Sequence, residues 1–157
     1  MARHDFKIVS GGQTGADRAA LDWAIANGIR HGGWCPKGRK AEDGHIDARY
    51  SLKETPTGRY IQRTSWNVRD SDGTVIFCTM PVLTGGAMQT LEYARKHRKP
   101  CLVLWKEGSD TQSAALLNRF VRDHKVRVLN VAGARASNEP EIGAFVKAVL
   151  SHWWTSC

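Results

Sequence analysis

Short apolar runs alternate with amphipathic stretches along this chain. Five of these runs predict strands, over Lys7–Ser10, Arg30–Trp34, Thr74–Thr79, Cys101–Trp105 and Arg127–Val131. Residues at helical spacing separate most of the runs, and the clearest apolar stripe is Ile142, Phe145, Val146, Val149, Leu150 and Trp153. Strands that alternate with helices are typical of an α/β protein with a mostly parallel central sheet, here of five or more strands.

Local signals mark where some helices begin and end. The first helix is predicted to begin near Thr14 to Asp17, with both residues as candidate N-caps, and to stop at Gly28, a suitable left-handed C-cap. Ser109 and Gln112 have the spacing of a capping box that opens a later helix. The boundaries therefore agree with the periodicity.

A glycine-rich turn, Ser10–Gly15, joins the first predicted strand to the first helix. Three glycines in six residues favour positive φ, and they let backbone N–H groups and the positive end of the helix dipole face an anion. The sequence matches neither GxGxxG nor GxxxxGK[ST]. A tight connection without a ligand stays an alternative. The candidate binding residues here are Gly11, Gly12, Gln13, Thr14, Gly15 and Arg18.

A second glycine pair follows the predicted strand TVIFCT. Thr84, Gly85 and Gly86 precede a helix predicted over Ala87–Lys96. Open α/β sheets bind ligands at the carboxyl ends of their strands. These residues are therefore the second part of the expected anion site.

Size and composition are those of an ordinary globular domain. The 157 residues predict a single domain over 1–157, with 41% apolar and 24% charged residues. No apolar stretch approaches the length of a membrane span, so we expect a soluble, cytoplasmic protein that does not bind membranes.

The charge balance favours an anionic partner. Lys and Arg number 23 against 15 acidic residues, a formal net charge of +8. No run of five Lys or Arg residues occurs, which argues against nucleic acid. The cysteines and histidines show no metal-ligand spacing, so no metal site of the protein's own is predicted.

Five stretches carry a resemblance to a known family. SGGQTGADRAALDWA, HGGWCPKGRKAEDG, ARYSLKETP, QRTSWNVRDSDGTVI and LTGGAMQTLEYARKHRKP resemble successive blocks of the putative molybdenum cofactor carrier proteins. The resemblance implies a Rossmann-like three-layer sandwich within the superfamily of LOG-type, "lysine decarboxylase-like" proteins. It also implies a homo-oligomer, a tetramer or dimer, and molybdoenzymes as candidate partners.

The same resemblance implies a ligand and a carrier role. The ligand would be molybdenum cofactor, or molybdate or another oxo-metal species; more generally, it is an anionic, phosphate-bearing small molecule. The two glycine-rich turns would hold its anionic groups. Lys37, Arg39 and Arg63 would add charge-assisted hydrogen bonds worth about 1.5–3 kcal/mol each.

The LOG-type phosphoribohydrolases supply the alternative, a nucleotide-derivative-processing enzyme. They carry an arginine in the helix before the third strand and PGGxGTxxE after that strand, and Arg63 with Glu92 would be the catalytic pair here. LTGGAMQTLEYA departs from the motif, because Glu92 follows Thr90 by two residues instead of three. One residue rotates a helical side chain by about 100°. We therefore prefer the carrier to the enzyme.

Overall fold

The computed structural model describes residues 3–83 and 85–156, beginning with a short 3-10 helix at Arg3–Asp5. The strands of the described chain are β1 (Lys7–Val9), β2 (Arg30–Gly32), β3 (Trp34–Cys35), β4 (Lys40–Ala41), β5 (Gly44–His45), β6 (Lys53–Glu54), β7 (Gly73–Cys78), β8 (Cys101–Trp105) and β9 (Val128–Gly133). Its α-helices are α1 (Ala16–Ala26), α2 (Tyr60–Arg69), α3 (Gly85–Lys96), α4 (Asp110–Asp123) and α5 (Ile142–Ser156).

The central sheet is parallel, with strand order β2-β1-β9-β7-β8. Leu129 of β9 pairs with Ile8 of β1 on one side and with Gly73 of β7 on the other. Helices α1, α4 and α5 pack together, and α2 packs against α3. The predicted Rossmann-like α/β sandwich is therefore confirmed, with the last strand in the middle of the sheet.

The main core lies beneath α5. Its whole predicted stripe is buried, and Trp153 lies 5.1 Å from Phe6 and 6.4 Å from Trp23, measured between ring centroids. The ring of Trp154 lies 6.0 Å from Trp23 and so also packs within the chain. This core fixes α1, and with it the turn that precedes α1.

The predicted N-caps of α1, Thr14 and Asp17, are wrong, whereas Gly28 at its end has the predicted left-handed conformation and the capping box at Ser109 is confirmed. The N-cap of α1 is Gly15, without a side-chain cap. The Asp17 carboxylate instead accepts the N–H of Gln13, 3.2 Å away, and the Thr14 hydroxyl accepts the N–H of Ala136, also 3.2 Å away. Contacts with Gln13, Arg63 and Ala136 therefore take the side-chain oxygens that N-capping would use.

The polar connection between β2 and α2 folds into its own small cluster. Strand β3 pairs with β6, β4 pairs with β5, and Ile46 and Tyr50 are buried with Cys35. Arg39 organises this cluster, since its guanidinium donates at 2.7–3.4 Å to the carbonyls of Ile46, Asp47, Tyr50 and Leu52. This region therefore packs beside α1.

No helix of the described residues is long and apolar enough to span a membrane.

Gly15 closes the connection between α1 and the segment after β9. Its φ is +83°, and a Cβ there would lie 2.4 Å from the Ala134 carbonyl oxygen. Gly28 also has positive φ, +66°, but nothing lies within 4 Å of a Cβ built on it. We expect Gly28→Ala to lower the free energy of unfolding by about 1 kcal/mol, from backbone strain alone.

Gly15→Ala adds a steric clash to backbone strain, and we expect a loss of about 3 kcal/mol or more. Urea unfolding of both variants measures the difference. Equal losses would show that the contact with the segment after β9 is not rigid.

Candidate functional site

A cavity of about 560 Å³ opens at the carboxyl ends of β1, β7 and β9. The first glycine-rich turn contributes Gly11 and Gln13 to its lining, and the second contributes Gly85 and Gly86. Polar lining residues come from the first turn, from α1, α2, α3 and β9, and from the segment after β9. An apolar rim comes from Met80, Pro81, Val82 and Leu83. Both glycine-rich turns therefore line one cavity, although β9 separates the strands that they follow.

Arg63 of α2 lies at the base of this cavity. It is 8% exposed, its Nε donates to the Tyr60 carbonyl at 3.3 Å, and its Nη1 donates to the Gly11 carbonyl at 3.1 Å. Nη1 also lies 3.3 Å from Asp17 Oδ2. Nη2 makes no hydrogen bond within the described part of the chain. One edge of the guanidinium is therefore unpaired.

Gly11 allows this approach. A Cβ at that position would lie 2.4 Å from both Cδ and Nη1 of Arg63, so a side chain there would displace the arginine. Burial lowers the pKa of Arg63, and the negative charge of Asp17 opposes that shift. An arginine stays cationic in proteins nonetheless. Glycine at position 11 thus places a buried positive charge beside the turn.

Asp17 is the counter-ion of Arg63, and its carboxylate also accepts the N–H of Gln13. Burial raises the pKa of Asp17, and Arg63 opposes that rise. The two shifts have the same cause, because loss of water disfavours the charged form of each partner. The ion pair between Arg63 and Asp17 therefore links α2 to α1 at the cavity.

Gln13 supplies a second unpaired donor. Its Oε1 accepts the N–H of Thr14 at 3.1 Å and the N–H of Glu42 at 2.9 Å, which fixes the amide. Its Nε2 is buried and has no partner among the described residues. A buried donor without a partner costs about 1–3 kcal/mol. An acceptor supplied by a ligand would remove that cost.

Glu42 connects chain segments that lie beside the cavity. Its carboxylate accepts the Thr14 hydroxyl, and it accepts the N–H and hydroxyl of Ser137 at 3.2 and 2.6 Å. Arg135 Nη1 lies 3.8 Å from the same carboxylate. The hydrogen bonds from Ser137 and Thr14 lower the pKa of Glu42. The Glu42 carboxylate therefore joins three separate stretches of the chain.

The segment after β9 contributes a carboxylate to the cavity lining. Glu139 accepts the N–H and hydroxyl of Thr79 at 2.6 and 2.5 Å, directly after β7. Burial, together with Glu139, raises the pKa of the nearby Cys78 thiol to about 12. Cys78 is therefore a neutral thiol at physiological pH, which makes it a poor nucleophile.

Several residues predicted as binding residues lie elsewhere. The cavity lining does not include Gly12, Thr14, Gly15, Arg18, Lys37 or Arg39. Arg18 is paired with Asp43 at 2.7 Å and donates to the Gly12 carbonyl at 2.9 Å. Thr84 lies outside the described residues.

The sequence analysis also missed part of the site. Its predicted residues omit these members of the lining: Asp17, Asn67, Thr90, Asn130, Arg135, Asn138 and Glu139. Four of them lie in or after β9, and their role depends on the insertion of that strand between β1 and β7. No local pattern in the sequence encodes that insertion. Glu92, the predicted acid of the enzyme alternative, is exposed on α3 and does not line the cavity.

The Arg63–Asp17 pair predicts a pH-dependent loss of stability. Arg63→Met leaves Asp17 as a buried carboxylate without its counter-ion, and we expect a loss of about 3–5 kcal/mol at neutral pH. Without the opposing charge of Arg63, burial raises the folded-state pKa of Asp17 further than in the wild type. A group with a raised folded pKa stabilises the fold at low pH and loses that contribution as pH rises. The deficit against the wild type should therefore grow between about pH 4 and pH 8.

Urea unfolding across this pH range measures the effect. Arg69→Met is the matched control, because Arg69 lies on the same helix and its ion pair with Asp70 is well exposed. That control should lose at most about 1 kcal/mol. A pH-independent deficit in Arg63→Met would contradict the pairing.

Comparison with known proteins places this architecture in a family. Residues 8–154 match the sequence model of the family described as the circularly permutated YpsA SLOG family. The chain is 47% identical to a Syntrophus aciditrophicus SB protein of known crystal structure, named "putative molybdenum carrier protein". The two structures agree with a TM-score of 0.91 over 94% of this chain and 93% of that one. No curated protein matches.

The match covers nearly all of the chain, and it confirms the resemblance carried by the glycine-rich blocks. The protein therefore belongs to the circularly permuted YpsA SLOG family.

Proposed function

We propose that this protein binds a small anionic ligand in the cavity between β1, β9 and β7 and acts as its carrier. The observation that carries this proposal is the pair of unsatisfied donors, Nη2 of Arg63 and Nε2 of Gln13. Both residues line the cavity and both are largely buried. A buried donor without a partner, such as Gln13 Nε2, is rare, and a ligand with two acceptor oxygens would bind both donors.

The ligand that we propose is molybdenum cofactor or an oxo-metal species such as molybdate. The name of the Syntrophus aciditrophicus SB structure supports a molybdenum ligand. The cavity volume of about 560 Å³ lies within the range of small-molecule sites, roughly 300–1,000 Å³. A phosphate or oxo group would face Arg63, and the apolar rim at Met80–Leu83 would cover a pterin ring.

The first turn of α3 also supports the proposal of an anion in the cavity. Gly85 and Gly86 form its first turn and line the cavity, and nothing lies within 4 Å of a Cβ built on either residue. Both glycines are exposed, so an anion can approach this turn. The helix dipole adds only about 0.3–1 kcal/mol, so Arg63 contributes most of the attraction.

The geometry gives less support to hydrolysis of a nucleotide derivative. Such an enzyme needs an acid or base free to reach the scissile bond. Glu92 is exposed and away from the cavity, while Asp17 and Glu139 are held by Arg63 and Thr79. The homo-oligomer, the molybdoenzyme partners and the cytoplasmic location stay predictions.

A panel of anions tests the binding proposal. Inorganic phosphate, molybdate and a phosphorylated pterin, each at constant ionic strength, should raise the melting temperature in a saturable way, because they bind the folded state. Chloride at the same ionic strength is the control. No saturable shift with any of the three would contradict an anion site.

Gly86→Asp tests whether the cavity is that site. Position 86 has space for a side chain, so the fold should stay intact while a carboxylate enters the lining. We expect the dissociation constant for molybdate to rise about tenfold or more, since each 1.4 kcal/mol of repulsion is a factor of ten.

Gly86→Asn is the matched control for Gly86→Asp, because it adds nearly the same volume without charge. It should bind molybdate within about threefold of the wild type, a difference below 1 kcal/mol. Equal weakening by both variants would mean that steric blockage, and not charge, governs the site. Unchanged binding in both would place the anion elsewhere.

A further inference from the structure

We propose that Asp17 couples anion binding to proton uptake, so that the cavity takes up a dianion together with one proton. This inference rests on the proposed function. It makes Asp17 the residue that determines which charge state of the ligand binds.

In the proposed complex, the Arg63 cation would lie between two anions, Asp17 and the ligand. Nη1 of Arg63 faces Asp17 Oδ2 at 3.3 Å, and Nη2 of the same guanidinium is the unpaired edge. A ligand oxygen on Nη2 would therefore share the positive charge that Asp17 depends on. A second negative charge near a buried carboxylate favours the protonated form of that carboxylate.

The formal charge of the cavity lining also favours proton uptake with the anion. Its charged side chains among the described residues are two acids, Asp17 and Glu139, and two cations, Arg63 and Arg135. Their sum is zero, so a dianion would leave the cavity with two uncompensated negative charges. One proton on a lining carboxylate halves that excess.

Asp17 is better placed than Glu139 to take the proton. Glu139 keeps two hydrogen bonds from Thr79, whose donors do not involve the ligand site. Asp17 has Arg63 as its one ion-pair partner in the described chain. Burial already raises the pKa of Asp17 in the absence of ligand.

The other titratable or charged groups that act on the pair are Tyr60, Arg18, Cys35 and Arg135. Tyr60 lies under the Arg63 guanidinium on α2, and Arg18 on α1 is paired with Asp43. Cys78 is neutral. Arg135 lies near Glu42 and also over the Tyr60 ring that Arg63 contacts, and its positive charge acts on Arg63. No histidine is among the described lining residues.

The coupling is a reversible protonation with a simple balance. Solvent supplies the proton, which binds a carboxylate oxygen of Asp17, and the proton leaves when the anion dissociates. By linkage, dianion affinity rises as pH falls. Each unit by which the bound anion raises the pKa of Asp17 is a tenfold gain in affinity at low pH.

Sulfate is the test probe, because it stays a dianion between pH 5 and 8 and does not itself titrate. The wild type should bind it about tenfold or more tightly at pH 5 than at pH 8, measured at constant ionic strength. Asp17→Asn should show at most about a twofold change and should bind more tightly than the wild type at pH 8.

Asp22→Asn is the matched control, because Asp22 lies on the same helix and is not among the lining residues. It should keep the wild-type pH dependence. Sulfate also stabilises proteins in general, without binding to a site. Gly86→Asp measures this general effect, because the variant keeps it while its cavity binds anions weakly.

Calorimetry in two buffers of different ionisation enthalpy counts the proton directly. The wild type should take up about half a proton or more per sulfate near the midpoint of its pH profile, the uptake that a tenfold affinity change requires, and Asp17→Asn close to none. This wild-type count decides the question even if Asp17→Asn does not fold.

Sulfate binding with no pH dependence and no proton uptake would overturn the coupling and leave the proposed function standing. Uptake that persists in a folded Asp17→Asn protein would assign the proton to another group. No saturable binding of sulfate, phosphate or molybdate at any pH would instead overturn the proposed function itself.

Discussion

A buried guanidinium organises the carboxyl edge of this sheet. Arg63 reaches from α2 to the turn after β1, where it bonds the Gly11 carbonyl and the Asp17 carboxylate. A charge at this depth is costly unless it is paired and hydrogen-bonded. The chain pairs one edge and leaves the other edge without a partner in the described residues. That half-satisfied cation gives the cavity its preference for an anion.

The strand order decides which loops surround that cation. Because β9 lies between β1 and β7, the segment that follows it passes between the two glycine-rich turns. Arg135 and Glu139 enter the lining in this way, and Glu42 fastens the same segment to the first turn through Ser137. The site is thus assembled from stretches far apart in sequence, and its shape depends on the sheet.

Local patterns predicted the fold well, because periodicity and capping are local properties. The stripe on α5, the five central strands and the capping box at Ser109 all follow from them. The site was only partly predictable. A cation in a polar loop has the same sequence signature whether it binds a ligand or, as Arg39 does, backbone carbonyls.

Asp17 also shows the limit of predicting the site from the sequence. An aspartate at a helix start predicts an N-cap, but Arg63, distant in sequence, competes for the carboxylate. Gln13 had no sequence signal beyond its place between glycines, and only packing isolates its amide donor. Three-dimensional contacts, and not residue type, separate the ligand-facing groups from the structural ones.

The account depends on an anion at the unpaired edge of Arg63. A crystal structure of the protein with molybdate, located by anomalous scattering from molybdenum, tests this most directly. We predict an oxo group at hydrogen-bond distance, about 2.7–3.2 Å, from Arg63 Nη2 and from Gln13 Nε2. Molybdate bound only at other surfaces, with the cavity holding none at saturating concentration, would contradict the account.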